Sequence, residues 1–389
     1  MKIISLLREI KESFKKYDPG RNLLRIEIDG KQLEENIKFF KNQFRIPYLA
    51  AVLKSNAYGH GLKEIGSFLD KNKDVSHFVV DSIMEAKILR NNNVKKALLI
   101  VGYVPRLITK DLKKVKADLV INSLEQANDL KNQVNFPLNV HIKVDTGLHR
   151  HGIFVEDLKK VIEILHKNRH LEIKGLMSHL ALPTNNSYLN QKHFELWGKA
   201  VEIYKKEIVN HKNHLFHILA TPTINNFSKI ENNMARIGGG IYGIDSSAEQ
   251  NLKIKPILSF YAKVVNIKTV KKGEGVGYGF TWVADKDTKI AVVACGYYEG
   301  VPRFLSNTGY FYFDNIPLKI LGRVSMNLTI VDVSAIKDLR IEDEIEVISN
   351  KPDRLNSCYN IAKIGGTIPY EILIRLSPQI KRIVKNSYN

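Results

Sequence analysis

Two cysteines in 389 residues, Cys295 and Cys358, are too few for a disulfide framework and lack the spacing of a metal site. They point to reduced, structural thiols in a reducing compartment. Long apolar runs are missing as well. A stretch such as Lys96–Gly102 is strand-length, and nothing approaches the roughly 18 uncharged residues that a membrane helix needs. The first residues, Met1–Ile10, carry charges among their apolar positions and offer neither a continuous signal core nor a small-residue cleavage site, so the expected location is the cytoplasm. No internal repeat or low-complexity linker interrupts the chain. Acidic residues are scarce: 40 Asp and Glu face 59 Lys and Arg, a formal charge of +19. That surplus does not read as nucleic-acid binding, because the lysines are scattered along the whole chain. The denser runs, Lys11–Lys16 and Lys110–Lys116, fall at helical spacings that suit solvated faces. A positive surface is still suited to drawing in an anionic phosphate compound.

What is present is ordinary globular composition, 44% hydrophobic, in a chain long enough for two domains with separate cores. From about residue 48 to 240, short apolar runs alternate with longer amphipathic stretches. The runs Tyr48–Leu53, His77–Asp81, Ala97–Val101, Asp118–Ile121, Val140–Val144, Ile173–Met177, Leu215–Leu219 and Ala235–Gly238 read as strands. Helical patterns lie between them at Leu62–Leu69, Ser82–Arg90, Val155–Leu165 and Gln191–Lys206, with Asp81-Ser82 and Asn122-Ser123 as caps. Eight such units fit a closed parallel (β/α)8 barrel of the TIM type better than an open doubly wound sheet. Beyond about residue 250 the pattern becomes β-rich: Phe260–Val270, Thr288–Ala294, Tyr310–Phe313, Leu318–Leu321, Leu328–Val333 and Glu344–Ile348. The expected organisation is an α/β barrel over residues 17–248 and a mainly antiparallel β domain over 249–389, joined by the alternating strand around 22–29.

In such a barrel, chemistry gathers where strands end. Lys54 ends the first apolar strand and precedes a Gly-containing turn, Ser55–Gly61. A partly desolvated amine there is suited to attack a carbonyl or accept a proton, and an aldehyde cofactor is the natural partner. Later strand ends carry Lys143–Arg150, Ser178-His179, Ala220-Thr221 and Arg236–Gly243. Each has an ordinary reading as a turn or a satisfied polar residue. Together they converge on one mouth, and Gly238-Gly239-Gly240 follows the eighth strand, where barrels hold phosphate on backbone N–H groups.

The segments Ala51–Gly61, Lys143–Arg150 with Gly152, Gly175–His179, Arg236–Gly243, Gly275–Gly279, Gly296–Arg303, Gly322–Met326 and Thr367–Glu371 resemble, in order, the signature segments of bacterial alanine racemases. The resemblance spans nearly the whole chain. It implies a pyridoxal 5'-phosphate (PLP) enzyme with a barrel and a C-terminal β domain, acting as a head-to-tail homodimer with shared active sites. Lys54 would hold PLP as a Schiff base. Tyr58, Thr221, the N–H groups of Gly238 and Gly239, and Tyr370 would hold its phosphate. His179 would lie along the pyridine ring and Arg236 would face its nitrogen. Inverting a stereocentre needs a base on each face of the substrate; Lys54 would serve one and Tyr278 the other. Arg150 would orient an active-site tyrosine, Tyr297 with Tyr370 would narrow the entrance, and the N–H of Met326 would meet the substrate carboxylate. The implied reaction interconverts L- and D-alanine, supplying D-alanine for peptidoglycan. Lys143 matches a position that the family can carbamylate; an ordinary strand-end lysine is the alternative.

The chain departs from the family pattern at several positions. Asn327 stands where aspartate is usual, Ala220 and Pro222 flank Thr221 in place of an Asn-Ser-Ala run, Ile237 replaces a proline, and His149 and His151 bracket Arg150. These departures bear on substrate breadth more than on cofactor binding. A racemase of serine or of broader specificity, a PLP-dependent decarboxylase, and a non-catalytic PLP-binding protein are the alternatives.

Overall fold

The computed structural model describes residues 23–106, 109–181, 187–247 and 251–385. The first strand, β1 (Leu24–Asp29), alternates apolar and charged residues, and the inward Ile26 and Ile28 are fully buried. The chain divides into two units, at Asp29/Gly30 and at Lys255/Pro256, and β1 belongs with the C-terminal one.

The unit from Gly30 to Lys255 is built on eight parallel strands: β2 (Tyr48–Val52), β3 (Val75–Val80), β4 (Ala97–Ile100), β5 (Asp118–Ile121), β6 (Leu138–Lys143), β7 (Leu171–Met177), β8 (Leu215–His217) and β9 (Met234–Ile237). They pair in sequence order from β2 to β8, and β9 pairs with β2. The ring closes because Asn233 N–H donates to Phe216 O (3.0 Å), Arg236 N–H donates to Leu219 O (3.1 Å), and Ala220 bridges Arg236 in parallel. The interior is filled by Ala50, Val52, Val79, Leu99, Val120, Met177, Leu215 and Met234, all buried. This is a packed (β/α)8 barrel.

Local chemistry sets the helices. Leu62, Ile65 and Leu69 line the buried stripe of the helix Leu62–Leu69. Ser82 caps Ile83–Asn91 through a capping box with Glu85, and Ser123 caps Leu124–Gln133. The amphipathic stretch from Val155 begins as a 3-10 turn, Val155–Asp157, before the helix Leu158–His166.

In the other unit, the 13-residue β10 (Leu258–Val270) serves two neighbours on one edge by changing register. Phe260–Lys263 pair with β17 (Glu344–Ile348), and after an irregularity between Val264 and Asn266 the strand continues along β13 (Thr288–Val293). β1 pairs with the opposite edge of β10, with Ile26 opposite Phe260, and runs parallel to β18 (Lys381–Lys385). β14 (Tyr310–Phe313) and β15 (Ile316–Lys319) form a hairpin, and β16 (Thr329–Asp332) pairs with β13. The strand expected at Leu318–Leu321 therefore lies two residues earlier: the hairpin turn after Phe313 sets its register, and Ile320 instead bridges Val331. A separate ribbon joins β11 (Gly275-Val276) to β12 (Trp282-Val283). Two short helices, Cys358–Ile364 and Pro369–Ile374, interrupt the β pattern.

Candidate active site

Lys54 follows the end of β2 after a single residue, Leu53. Leu53 N–H donates to Val79 O (2.8 Å), which carries the lysine to the C-terminal mouth of the barrel. The backbone then makes a turn of left-handed helix, with φ of 56°, 55°, 52° and 54° at Ser55, Asn56, Ala57 and Tyr58. Such a conformation costs roughly 1–2 kcal/mol per L-residue, so neighbouring groups must impose it. Glu85 Oε1 accepts from Ser55 N–H (2.7 Å), and Asn56 Oδ1 accepts from Leu62 N–H (2.8 Å). The imidazole of His60 lies against Ala57 O with Nδ1 at 2.9 Å, which makes that nitrogen the donor. Its ring stacks on Tyr242 at 4.4 Å, and the Tyr242 hydroxyl donates to Val52 O (2.9 Å).

This turn delivers Tyr58 beside the glycine loop after β9. A Cβ on Gly238 would lie 2.4 Å from the Tyr58 hydroxyl oxygen, so only glycine lets the phenol approach the backbone there. Thr221 Oγ1 accepts from Gly240 N–H (3.1 Å), tying the segment after β8 to the same loop. Tyr58, Thr221, Gly238 and Gly239 thus meet at the ends of β2, β8 and β9.

Arg236, 4% exposed, makes a dense polar knot in the barrel. One terminal nitrogen donates to His217 Nδ1 (2.9 Å) and His217 O (2.6 Å); the other donates to Ser178 O (2.7 Å) and lies 3.4 Å from His179 Nδ1. Burial pulls the guanidinium down to about 9, which leaves it cationic at neutral pH. Burial and the charge of Arg236 hold His179 neutral, down to about 3. At the end of β6, burial and the cations Arg236 and Arg150 lower Lys143 to about 8; Lys54 adds to that effect, and only Asp145 opposes it. Asp145 is itself committed to its turn, with Oδ1 accepting from Gly147 N–H (2.9 Å) and His149 N–H (3.1 Å). Arg150 follows on the exposed side of that turn.

The remaining expected site residues lie in the β unit. Tyr278 begins the turn between β11 and β12, where Gly277 and Gly279 have φ of 72° and 71°, and it is 74% exposed. Tyr297 N–H donates to Ser325 O (3.0 Å) and Tyr298 N–H to Met326 O (2.9 Å), so Tyr297 and Met326 sit on two crossing segments. Gly296 permits that crossing: a Cβ there would be 2.2 Å from Ser325 O. Asn327 Nδ2 donates to Glu299 Oε1 (2.8 Å), while Glu299 Oε2 accepts from Gly296 N–H (2.7 Å). Tyr370 lies in the short helix Pro369–Ile374.

Several residues of this arrangement escape a reading by motif. Glu85, His60 and Tyr242 shape the lysine turn, His217 and His141 stand behind Arg236, and Glu299 pairs with Asn327. Part of the signal was available, since Ser82-x-x-Glu85 is a capping box and His141 is a polar residue inside an apolar strand. The second job of Glu85, gripping Ser55 across 30 residues, depends on the fold.

A phosphorylated pyridine aldehyde fits what the barrel offers. An amine stands at its mouth, a neutral imidazole and a buried guanidinium lie behind, and a glycine loop with a phenol and a hydroxyl beside it suits a phosphate. Arg236, Arg150 and Lys54 all act on Lys143 there, with Asp145 acting the other way, a field that favours an anionic ligand. Among the described residues, no helix is long and apolar enough to cross a membrane, and no cluster suited to a metal ion occurs.

Comparison with known proteins agrees. Residues 28–246 match the family described as alanine racemase, N-terminal domain, and residues 257–384 match alanine racemase, C-terminal domain. An alanine racemase of Borreliella burgdorferi is 32% identical, over 91% of this chain and 95% of that protein. The structure is similar to that of alanine racemase from Clostridium difficile 630 (TM-score 0.84, 25% identity, covering 93% of this chain and 96% of the other). It is also similar to the Bartonella henselae alanine racemase with covalently bound pyridoxal phosphate (TM-score 0.80, 25% identity, covering 93% and 99%). Barrel, β unit, site geometry and both family matches agree: this chain belongs to the alanine racemase family.

Proposed function

We propose that the protein is a PLP-dependent alanine racemase that interconverts L- and D-alanine by a two-base mechanism. The observation that carries the reading is the delivery of Lys54 to the barrel mouth on a strained turn whose other end places Tyr58 against Gly238. In it, Lys54 holds the cofactor, Tyr58, Thr221, Gly238, Gly239 and Tyr370 hold its phosphate, and His179 packs along its ring. When bound, PLP supplies an electron sink that weakens the Cα–H bond of the attached amino acid.

The residues of this chain divide the remaining work. The Lys54 amine takes or returns the Cα proton on one face, and the Tyr278 phenol does so on the other. Arg236 faces the pyridine nitrogen as a donor with no acceptor atom, so it hydrogen-bonds that nitrogen without protonating it. That restrains the electron sink, which suits proton return at Cα better than transamination. Arg150 orients the phenol, the Met326 N–H receives the substrate carboxylate, and Tyr297 narrows the entrance so that a small side chain is preferred. Tyr278 belongs to the β unit, and the reading has it act on the barrel of a second copy in a head-to-tail homodimer. A cytoplasmic location and supply of D-alanine for peptidoglycan complete it.

The test is turnover by the PLP-loaded protein on single L-amino acids. D-alanine formation without carbon dioxide release, at a kcat/KM above that for serine or lysine, is expected. A preference for serine or lysine overturns the alanine assignment, and carbon dioxide release overturns racemisation.

A further inference from the structure

A line of polar side chains runs through the barrel interior away from the mouth. Behind Arg236 stands His217 at the end of β8, behind it His141 in the middle of β6, and at the start of β5 Asp118. His217 and His141 are 0% and 1% exposed. His141 Nδ1 lies 2.8 Å from His217 Nε2, and His141 Nε2 lies 3.5 Å from Asp118 Oδ2. The second carboxylate oxygen, Oδ1, accepts from Asn139 Nδ2 (3.0 Å). Room for the imidazole comes from Gly175 on β7, where a Cβ would lie 2.5 Å from His141 Nδ1.

The proton positions along this line follow from its ends. A guanidinium has no acceptor, so His217 Nδ1, at 2.9 Å from Arg236, presents a lone pair. The proton of neutral His217 is then on Nε2 and is donated to His141 Nδ1. His141 in turn carries its proton on Nε2, which points at the Asp118 carboxylate, an acceptor only. Burial and the neighbouring Arg236 hold His217 well below its usual range, so it stays neutral.

We propose that Asp118 is a positioning residue for the reaction: through His141 and His217 it fixes the tautomer that accepts from Arg236, and so holds the guanidinium aimed at the cofactor nitrogen. This rests on the PLP reading of the site. It extends the working set of residues to the far end of the barrel, four side chains deep. Asparagine at position 118 is the informative replacement. Asn139 Nδ2–H claims the new amide oxygen, which turns the new amide NH2 toward His141 Nε2. A donor there drives the His141 proton to Nδ1 and the His217 proton to its own Nδ1, where it meets an Arg236 N–H.

The experiment uses holoenzyme with 15N-labelled histidine, with His141→Gln and His217→Gln assigning the signals, alongside steady-state kinetics. In wild type both histidines are expected as Nε2–H tautomers. In Asp118→Asn both switch, and kcat falls about 10- to 100-fold with little change in KM, the range typical of supporting residues. Adding Asn139→Asp to Asp118→Asn lets the amide donate to the new carboxylate and turn its oxygen to His141, so tautomers and kcat both recover. Unchanged tautomers in Asp118→Asn, a switch without loss of kcat, or no recovery in the double variant overturns the role of Asp118. Wild type that takes up no PLP overturns the proposed function instead, and the absorption spectrum reads that separately.

Discussion

The Glu85 carboxylate binds the backbone N–H of Ser55 at 2.7 Å with one oxygen and that of Asp81 at 2.7 Å with the other. One side chain thereby ties the turn bearing Lys54 to the start of the helix Ile83–Asn91. Glu85→Ala removes both acceptor oxygens and leaves three backbone donors, those of Ser55, Asp81 and the N-cap Ser82, and a left-handed turn without support. A loss of about 2–4 kcal/mol is expected, from hydrogen bonds to a charged group at about 1.5–3 kcal/mol each, partly offset by water. Glu85→Gln keeps one acceptor and should lose less. Urea denaturation reads the stability, and PLP dissociation, expected to be faster in Glu85→Ala, reads the effect on the lysine. Unchanged PLP release would separate Glu85 from the site.

Asn327 and Glu299 form a matched pair. In Asn327→Asp two carboxylates face each other at the present 2.8 Å contact beside a Glu299 side chain that is mostly buried. The variant is expected to lose about 1–3 kcal/mol at neutral pH and to regain part of it on acidification, when one carboxyl takes up a proton. Glu299→Gln should restore Asn327→Asp, and a thermodynamic cycle over the four proteins measures the coupling. Additive losses would contradict the pairing.

Lys143 is expected to react with carbon dioxide. Burial and the surrounding cations bring its amine to about 8, so a substantial neutral fraction exists at physiological pH. The amine attacks carbon dioxide, a C–N bond forms, one proton leaves, and the resulting carbamate places a negative charge among Arg150 and Arg236. Protein equilibrated with 13C-bicarbonate should show a carbamate carbon signal that is lost in Lys143→Ala. A spectrum identical in the two proteins contradicts it.

Acid should destabilise the fold early. His77 is lowered to about 4 by burial and by His141, His179 to about 3 by burial and by Arg236, and His217 well below its usual range by burial and by Arg236. The unfolded chain binds these protons near 6.5 and the folded chain does not. Unfolding therefore takes up protons below 6.5, and stability rises with pH between about 4 and 6.5 and falls on acidification through that window. Three such groups give up to about 4 kcal/mol per pH unit. Urea midpoints measured from pH 7.5 to 5 should fall steadily below 6.5. A flat profile to pH 5 would contradict neutral histidines in the barrel.

Much of the architecture was legible along the chain, because strands buried on both faces must be apolar runs. All eight barrel strands overlap such runs, and Leu62–Leu69 coincides with its helix. The strand Lys381–Lys385 was not legible: five residues with three cations give no apolar pattern, and pairing with β1 creates it. The short helices Cys358–Ile364 and Pro369–Ile374 are below the length at which periodicity speaks. At the site, Lys54 stood out as a charge ending an apolar strand. The left-handed turn after it did not, because Ser55-Asn56-Ala57-Tyr58 has no intrinsic preference for that conformation, and Glu85, His60 and Tyr242 impose it. His141 and His217 belong to no motif along the chain; only the closure of the barrel lines them up behind Arg236.

The central claim, that Lys54 is the amine that holds PLP, is tested by reducing the PLP-loaded protein with borohydride and mapping the modified peptide by mass. The account predicts loss of the visible absorption band, a pyridoxyl group on Lys54, and neither band nor adduct in Lys54→Ala. An adduct on another lysine such as Lys143, or a band that survives Lys54→Ala, would contradict it.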